Sequence, residues 1–218
     1  MENNLILYER QGRVVTLTLN RPQKLNALTP DMLKAFTTAM LGLRDDTDTR
    51  CVVLRGSGKS AFSAGFDIGH ISQDPPQPGE TDPRVADAYL SAKTAMHLYP
   101  YPIVAMIDGY CVGGGLELAV ACDLRIAADT ARLGITPAKL GIVYNYDPIR
   151  AFVNLVGPGY AKELFCLGRL VDAHHALTMG LVNYVLPETE IEPFTYALAA
   201  EITRNAPLSV QAAKTIIN

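Results

Sequence analysis

Apolar and polar positions alternate with a period of two over residues 14–20, which predicts a strand half-buried on one face and closed by Arg21-Pro22. The period then lengthens. Leu33, Phe36, Met40 and Leu43 recur at helical spacing behind a Thr29 N-cap and a Pro30 at the first helical position. Residues 51–54 read as a short buried strand, 56–59 as a turn, and 61–68 as an apolar segment broken by Gly65 and Asp67. A polar, proline-rich loop at 72–83 has the character of a lid. The helix that starts at Asp82-Pro83 carries Val85, Tyr89, Ala92 and Met96 on its apolar stripe.

Residues 102–107 read as another buried strand, and Gly109 and Gly113-Gly114-Gly115 lead from it into a helical run at 116–122. Beyond the strand-like stretch 124–127, helical patterns fall near 148–155, 160–166 and 172–179. They are followed by a strand at 181–185 and helices from Ile191 and Pro207. Alternating β and α elements imply an α/β fold. The organisation expected is one domain, with its core at 1–190 and a helical C-terminal part at 191–218. The apolar helical pattern is still running at Asn218, which reads as truncation.

Composition narrows the function. With 218 residues, 49% hydrophobic and 19% charged, the chain is globular and needs no staples. Its 19 Lys and Arg against 22 Asp and Glu form no basic stripe, which argues against nucleic acid as a partner. The start MENNLILYERQGR lacks the basic and apolar regions of a signal peptide. The most apolar stretch, 102–122, is interrupted by Asp108 and Glu117, so no membrane segment is expected. Cys51, Cys111, Cys122 and Cys166 show no C-x-x-C spacing and lie in apolar sequence, as free core thiols of a cytoplasmic protein do.

Three features carry candidate chemistry. The turn Gly56-Ser57-Gly58-Lys59-Ser60 resembles a phosphate-cradling loop in composition only, since the upstream glycine such a loop needs falls on Val53. The glycine triplet at 113–115 lets backbone approach a ligand at the start of a helix, whose first N–H groups carry partial positive charge. It equally suits a tight, closely packed turn. In Phe62-Ser63-Ala64-Gly65-Phe66-Asp67-Ile68 a second backbone N–H is available, and one from each segment can converge on a single carbonyl oxygen. Glu117 follows the triplet among Leu116, Leu118 and Ala119. A carboxyl there is favoured in a first helical turn and, if desolvated, titrates high.

Three spaced motifs resemble the crotonase superfamily, also called the enoyl-CoA hydratase/isomerase family. They are Asn20-Arg21-Pro22 with Lys24-Leu25-Asn26-Ala27-Leu28, then residues 62–68, then Asp108-Gly109-Tyr110-Cys111-Val112-Gly113-Gly114-Gly115-Leu116-Glu117-Leu118 with Cys122-Asp123. The resemblance implies a ClpP-like spiral of ββα units with a helical C-terminal part, assembled as a homotrimer or hexamer. It implies an acyl-CoA thioester held around Lys24, Leu25 and Ala27 and around Ala64, Gly65, Asp67 and Ile68. No metal and no cofactor are implied, coenzyme A entering only as part of the substrate. The N–H groups of Phe66 and Gly114 would form the oxyanion hole.

Family hydratases use two glutamates. Glu117 matches the first, while the position of the second is Pro137, which has no titratable side chain. Ile135-Thr136-Pro137 and Leu140-Gly141-Ile142-Val143-Tyr144-Asn145 resemble the corresponding stretch of the family's methylmalonyl-CoA decarboxylases. That implies Thr136 lining the substrate pocket and Tyr144 orienting a malonyl carboxylate. Those decarboxylases carry His at the position of Phe66; His70 is a candidate to reach the same pocket, and His174 and His175 read as surface residues. The function expected is a lyase that decarboxylates a short malonyl-type CoA such as methylmalonyl-CoA. The alternatives are an enoyl-CoA hydratase/isomerase with a single glutamate and a non-catalytic acyl-CoA-binding or RNA-associated scaffold.

Overall fold

Strands that are apolar on both faces need a packed layer on each side. The chain provides these layers by repeating one ββα unit, as a computed structural model describing residues 4–67 and 83–218 shows. The first unit runs from β3 (Cys51–Gly56) through β4 (Ala61–Ser63) to α2 (Pro83–Leu98). The second runs from β5 (Ile103–Ile107) through β6 (Tyr110–Val112) to α3 (Gly114–Val120), and the third from β7 (Leu124–Ala128) through β8 (Arg132–Gly134) to α4 (Tyr146–Leu167). Each first strand joins a large sheet and each second strand a small one, so the chain advances as a spiral. Ile68, His70 and the expected lid loop lie outside the described residues.

The large sheet has the order β1-β2-β3-β5-β7-β10, with β1 (Ile6–Gln11), β2 (Val14–Leu19) and β10 (Tyr184–Leu186) completing it. All its pairings are parallel except β1 with β2. The small sheet, β4-β6-β8-β9, ends in the two-residue β9 (Val171–Asp172). Strand β1 has no counterpart in the sequence reading because it is an edge, buried at Ile6, half-buried at Leu7 and exposed beyond it. In the described part of the apolar segment, residues 61–67, only Ala61–Ser63 is strand, and β6 and β8, at three residues each, are too short to show a period.

Helix α1 (Pro30–Arg44) buries Met32, Leu33, Phe36, Met40 and Leu43 to 2% exposure or less. Each is worth about 1.5–3 kcal/mol of apolar burial. Thr29 caps it, its hydroxyl accepting from Met32 N at 3.2 Å. The two helical patterns at 148–155 and 160–166 are the two helical halves of α4, separated where Gly157 (φ 74°, ψ 165°) leaves the helical conformation ahead of Pro158. Short α5 (Ala173–Thr178) is capped by Asp172. Helix α6 (Ile191–Arg204) lies across the outer face of the large sheet, where Ile191 and Ala199 pack with Val53, Val104, Met106 and Ile126. Helix α7 (Pro207–Ile217) leaves Leu208, Ile216 and Ile217 about four-fifths exposed. Cys166 is exposed, unlike the other three thiols. No helix among the described residues is long and apolar enough to cross a membrane.

Candidate active site

Gly113 joins β6 to α3, which opens with Gly114 and Gly115, and each of the three glycines is required for a different reason. Gly113 has φ 54° and ψ −126°, a region L side chains rarely enter. A Cβ on Gly114 would stand 2.8 Å from the Phe66 ring, and one on Gly115 would stand 2.6 Å from Ser63 O. The start of α3 is therefore pressed against the segment after β4. There Leu28 N donates to Gly65 O (2.7 Å) and Asp67 N donates to Leu28 O (2.9 Å), so Phe66 turns its own N–H away from Leu28. Among the described residues neither the Phe66 nor the Gly114 N–H donates to a protein acceptor. A side chain at Gly65 (φ 94°) would reach within 3.3 Å of Gly114 N, which puts the two segments in direct apposition.

Polar side chains lock this arrangement from behind. The fully buried Asn26, itself at φ 54°, donates to Ala61 O (2.7 Å) and Ser57 O (3.0 Å) and accepts from Arg21 N (3.0 Å). Arg21 donates to Ala27 O (2.7 Å) and pairs with Asp67 (2.9 Å). Ser63 Oγ donates to Asn26 O (2.9 Å) and accepts from Gly65 N (3.2 Å).

Above the two free N–H groups opens a cleft of about 630 Å³. Glu117 lies within it and is 6% exposed. Burial, the largest influence, raises its pKa, while Tyr144, Lys93 and Tyr89 act in the opposite direction. Burial followed by the charge of Glu117 raises the pKa of both phenols, so they are neutral donors at any physiological pH. The Tyr144 ring is held edge-on by Phe165 (5.3 Å between centroids), which is held in turn by Phe152 (5.2 Å). The other carboxylates bordering the cleft differ from Glu117. Asp67 is paired with Arg21, and Asp87 and Asp147 are exposed.

The pattern of the enoyl-CoA hydratase/isomerase family matches residues 9–218. The chain belongs to that family. It is 34% identical over 218 residues to a short-chain-enoyl-CoA hydratase of Clostridium acetobutylicum, covering all of this chain and 82% of the relative. A crystal structure of an enoyl-CoA hydratase/carnithine racemase from Magnetospirillum magneticum superposes with a TM-score of 0.90 at 32% identity, over 98% of this chain and 79% of that one. A methylmalonyl-CoA decarboxylase in complex with 2-nitronate-propionyl-CoA superposes with a TM-score of 0.89 at 31% identity, over 98% and 80%. The two-sheet architecture with its C-terminal helices is the crotonase fold, and the chain is a lyase of that superfamily.

For this crotonase, the cleft brings together Lys24, Ala27, Ala64, Gly65, Phe66, Asp67, Gly114, Glu117, Thr136 and Tyr144. Leu25 does not line it. Held at φ 49°, its side chain points to solvent, and its contribution is a carbonyl that accepts from Ala64 N (2.9 Å). The sequence reading passed over Tyr89 and Lys93, both on the cleft wall. Tyr89 sits in the apolar stripe of α2 and read as core; its one signal was a hydroxyl on a buried face. Among the described residues no group of three or more His, Cys, Asp or Glu could hold a metal ion.

Proposed function

We propose that the protein is an enoyl-CoA hydratase or isomerase in which Glu117 alone serves as acid and base. One observation carries this reading: among the described residues Glu117 is the single carboxylate enclosed in the cleft beside the free N–H groups of Phe66 and Gly114, and buried Pro137 occupies the position of a second acid. The N–H pair receives the thioester oxygen as negative charge grows there. In hydration, a water oxygen bonds to C3 while its proton passes to the Glu117 carboxylate, and that same proton then goes to C2 of the enolate. In isomerisation, Glu117 takes a proton from C2 and returns it to C4. A carboxyl whose pKa is raised by burial is suited to both directions of transfer.

Decarboxylation is the second reading, favoured by Tyr144 beside Glu117 and by the likeness to a methylmalonyl-CoA decarboxylase. There the bond from C2 to the carboxylate carbon breaks, CO2 leaves, the electron pair enters the thioester, and one proton closes the reaction. Crotonyl-CoA and methylmalonyl-CoA, supplied separately, distinguish the two. The first reading expects loss of the conjugated thioester absorbance with crotonyl-CoA, abolished in Glu117→Gln. CO2 release without crotonyl-CoA turnover would replace it with the second reading, and silence with both would overturn both. Assembly into a trimer or hexamer belongs to the same proposal. The exposed Leu208, Ile216 and Ile217 of α7 are suited to burial against another chain, and sedimentation velocity measures it.

A further inference from the structure

Tyr89 is 8% exposed and its hydroxyl oxygen is fully enclosed; among the described residues it completes no hydrogen bond of normal geometry, yet it lies close enough to Glu117 to act on that carboxyl as a donor favouring its charged form. A buried hydroxyl without a partner costs folding stability, and phenylalanine would fill the same space without that cost. The ring itself is firmly seated. It meets the Phe66 ring edge-on at 5.4 Å and 89°, and Lys93 Nζ lies 5.9 Å from its centroid. Phe66 in turn covers Gly114, so the ring of Tyr89 backs one half of the N–H pair while its hydroxyl end faces Glu117.

We infer that Tyr89 is a positioning residue for Glu117: its hydroxyl is kept without a fixed partner beside the carboxyl so that it can donate whenever turnover leaves negative charge there. The inference rests on the reading of Glu117 as the acid and base. Three groups face that carboxyl, Tyr89 and Lys93 from α2 and Tyr144 from the segment ahead of α4, and each favours its charged form. Glu117 alternates between carboxyl and carboxylate in every cycle. A fully satisfied hydroxyl network would hold it in one state, whereas a donor without a fixed partner engages the charged form more strongly than the neutral one, because a hydrogen bond to an ionised acceptor is the stronger. Local consistency is broken at this site and nowhere else on the stripe, as expected where function rather than folding selects a residue.

The test is Tyr89→Phe, assayed with crotonyl-CoA across pH together with thermal unfolding. The expected result is a Tm equal to or above the parent's, with kcat reduced about tenfold, the contribution of one hydrogen bond to a charged group. KM stays within about twofold, since the ring wall is kept. The limb of the rate profile that belongs to Glu117 moves to higher pH, because one of the groups favouring its carboxylate is gone. An unchanged kcat with an unmoved limb overturns the inference, and so does a rise in KM alone, which would make Tyr89 wall only. Glu117→Gln separates the two levels. If it retains turnover, the reading of Glu117 fails; if it is inactive while Tyr89→Phe behaves as the parent, only the role of Tyr89 fails.

Discussion

A single methyl group added at Gly114 tests whether the N–H pair is built by packing. The backbone there is ordinary, so Gly114→Ala carries no conformational penalty, and the whole effect comes from space. The new Cβ would lie 2.8 Å from two ring atoms of Phe66 and 3.0 Å from a third, where carbon contacts settle near ~3.5–4.0 Å. The ring must retreat by roughly 0.7 Å or more on that scale. Tyr89, in edge-on contact with the same ring, restricts where it can move. Overpacking of this kind costs about 1–3 kcal/mol of stability. Shifting one oxyanion donor costs about 10²–10³ in rate, equivalent to about 2.7–4 kcal/mol at the transition state. The assay is kcat/KM for crotonyl-CoA with thermal unfolding alongside. A variant with parental Tm and a rate within about threefold of the parent would refute the packing argument.

Three further outcomes follow from particular residues. In Glu117→Gln, turnover falls but stability at pH 8 rises: burial raises the folded-state pKa above the ordinary 4.5, so the carboxyl stabilises the fold below that value and the benefit is lost as pH rises through the folded value. Differential scanning calorimetry checks it, with a gain of roughly 2–4 °C per kcal/mol at pH 8 and none near pH 4. Asp46 is held down to about 2 by the Thr49 hydroxyl, the Asp48 N–H and Arg10. It therefore stabilises the fold above its ordinary 3.8, and the contribution is lost as pH falls toward about 2; acid titration by circular dichroism shows a shallower loss in Asp46→Asn. Gly42 lies exposed in α1, and a methyl group added there would meet nothing within 4 Å, so Gly42→Ala stabilises by about 0.4–1 kcal/mol in urea denaturation.

Much of this molecule is legible in local sequence, and what is not is long-range. The Thr29 cap, the stripe of α1 and the all-buried β5 follow from spacing alone, and so does a buried Glu117 after three glycines. The glycines were legible as a group, but their separate reasons are not, since the Phe66 ring and Ser63 that exclude side chains at 114 and 115 arrive from about fifty residues away. Arg21 and Asn26 stood in the recognised motifs without a role. Their partners Asp67 and Ala61 are 46 and 35 positions distant, and only the spiral brings them near. Tyr89 was hidden by its own pattern, because an amphipathic stripe reports that a residue is inside and not what its hydroxyl meets. The pairing order of the strands and the edge strand β1 are likewise properties of the assembled sheet.

The proposed function turns on a thioester enolate stabilised in the cleft while Glu117 moves its proton. Exchange of the C2 protons of butyryl-CoA in D2O, followed by NMR, probes that step without regard to the net reaction. Enzyme-dependent exchange is expected, falling by about 10²–10⁴ in Glu117→Gln and unchanged in the surface variant Glu163→Gln. Exchange that persists at the parental rate in Glu117→Gln would remove Glu117 from the chemistry.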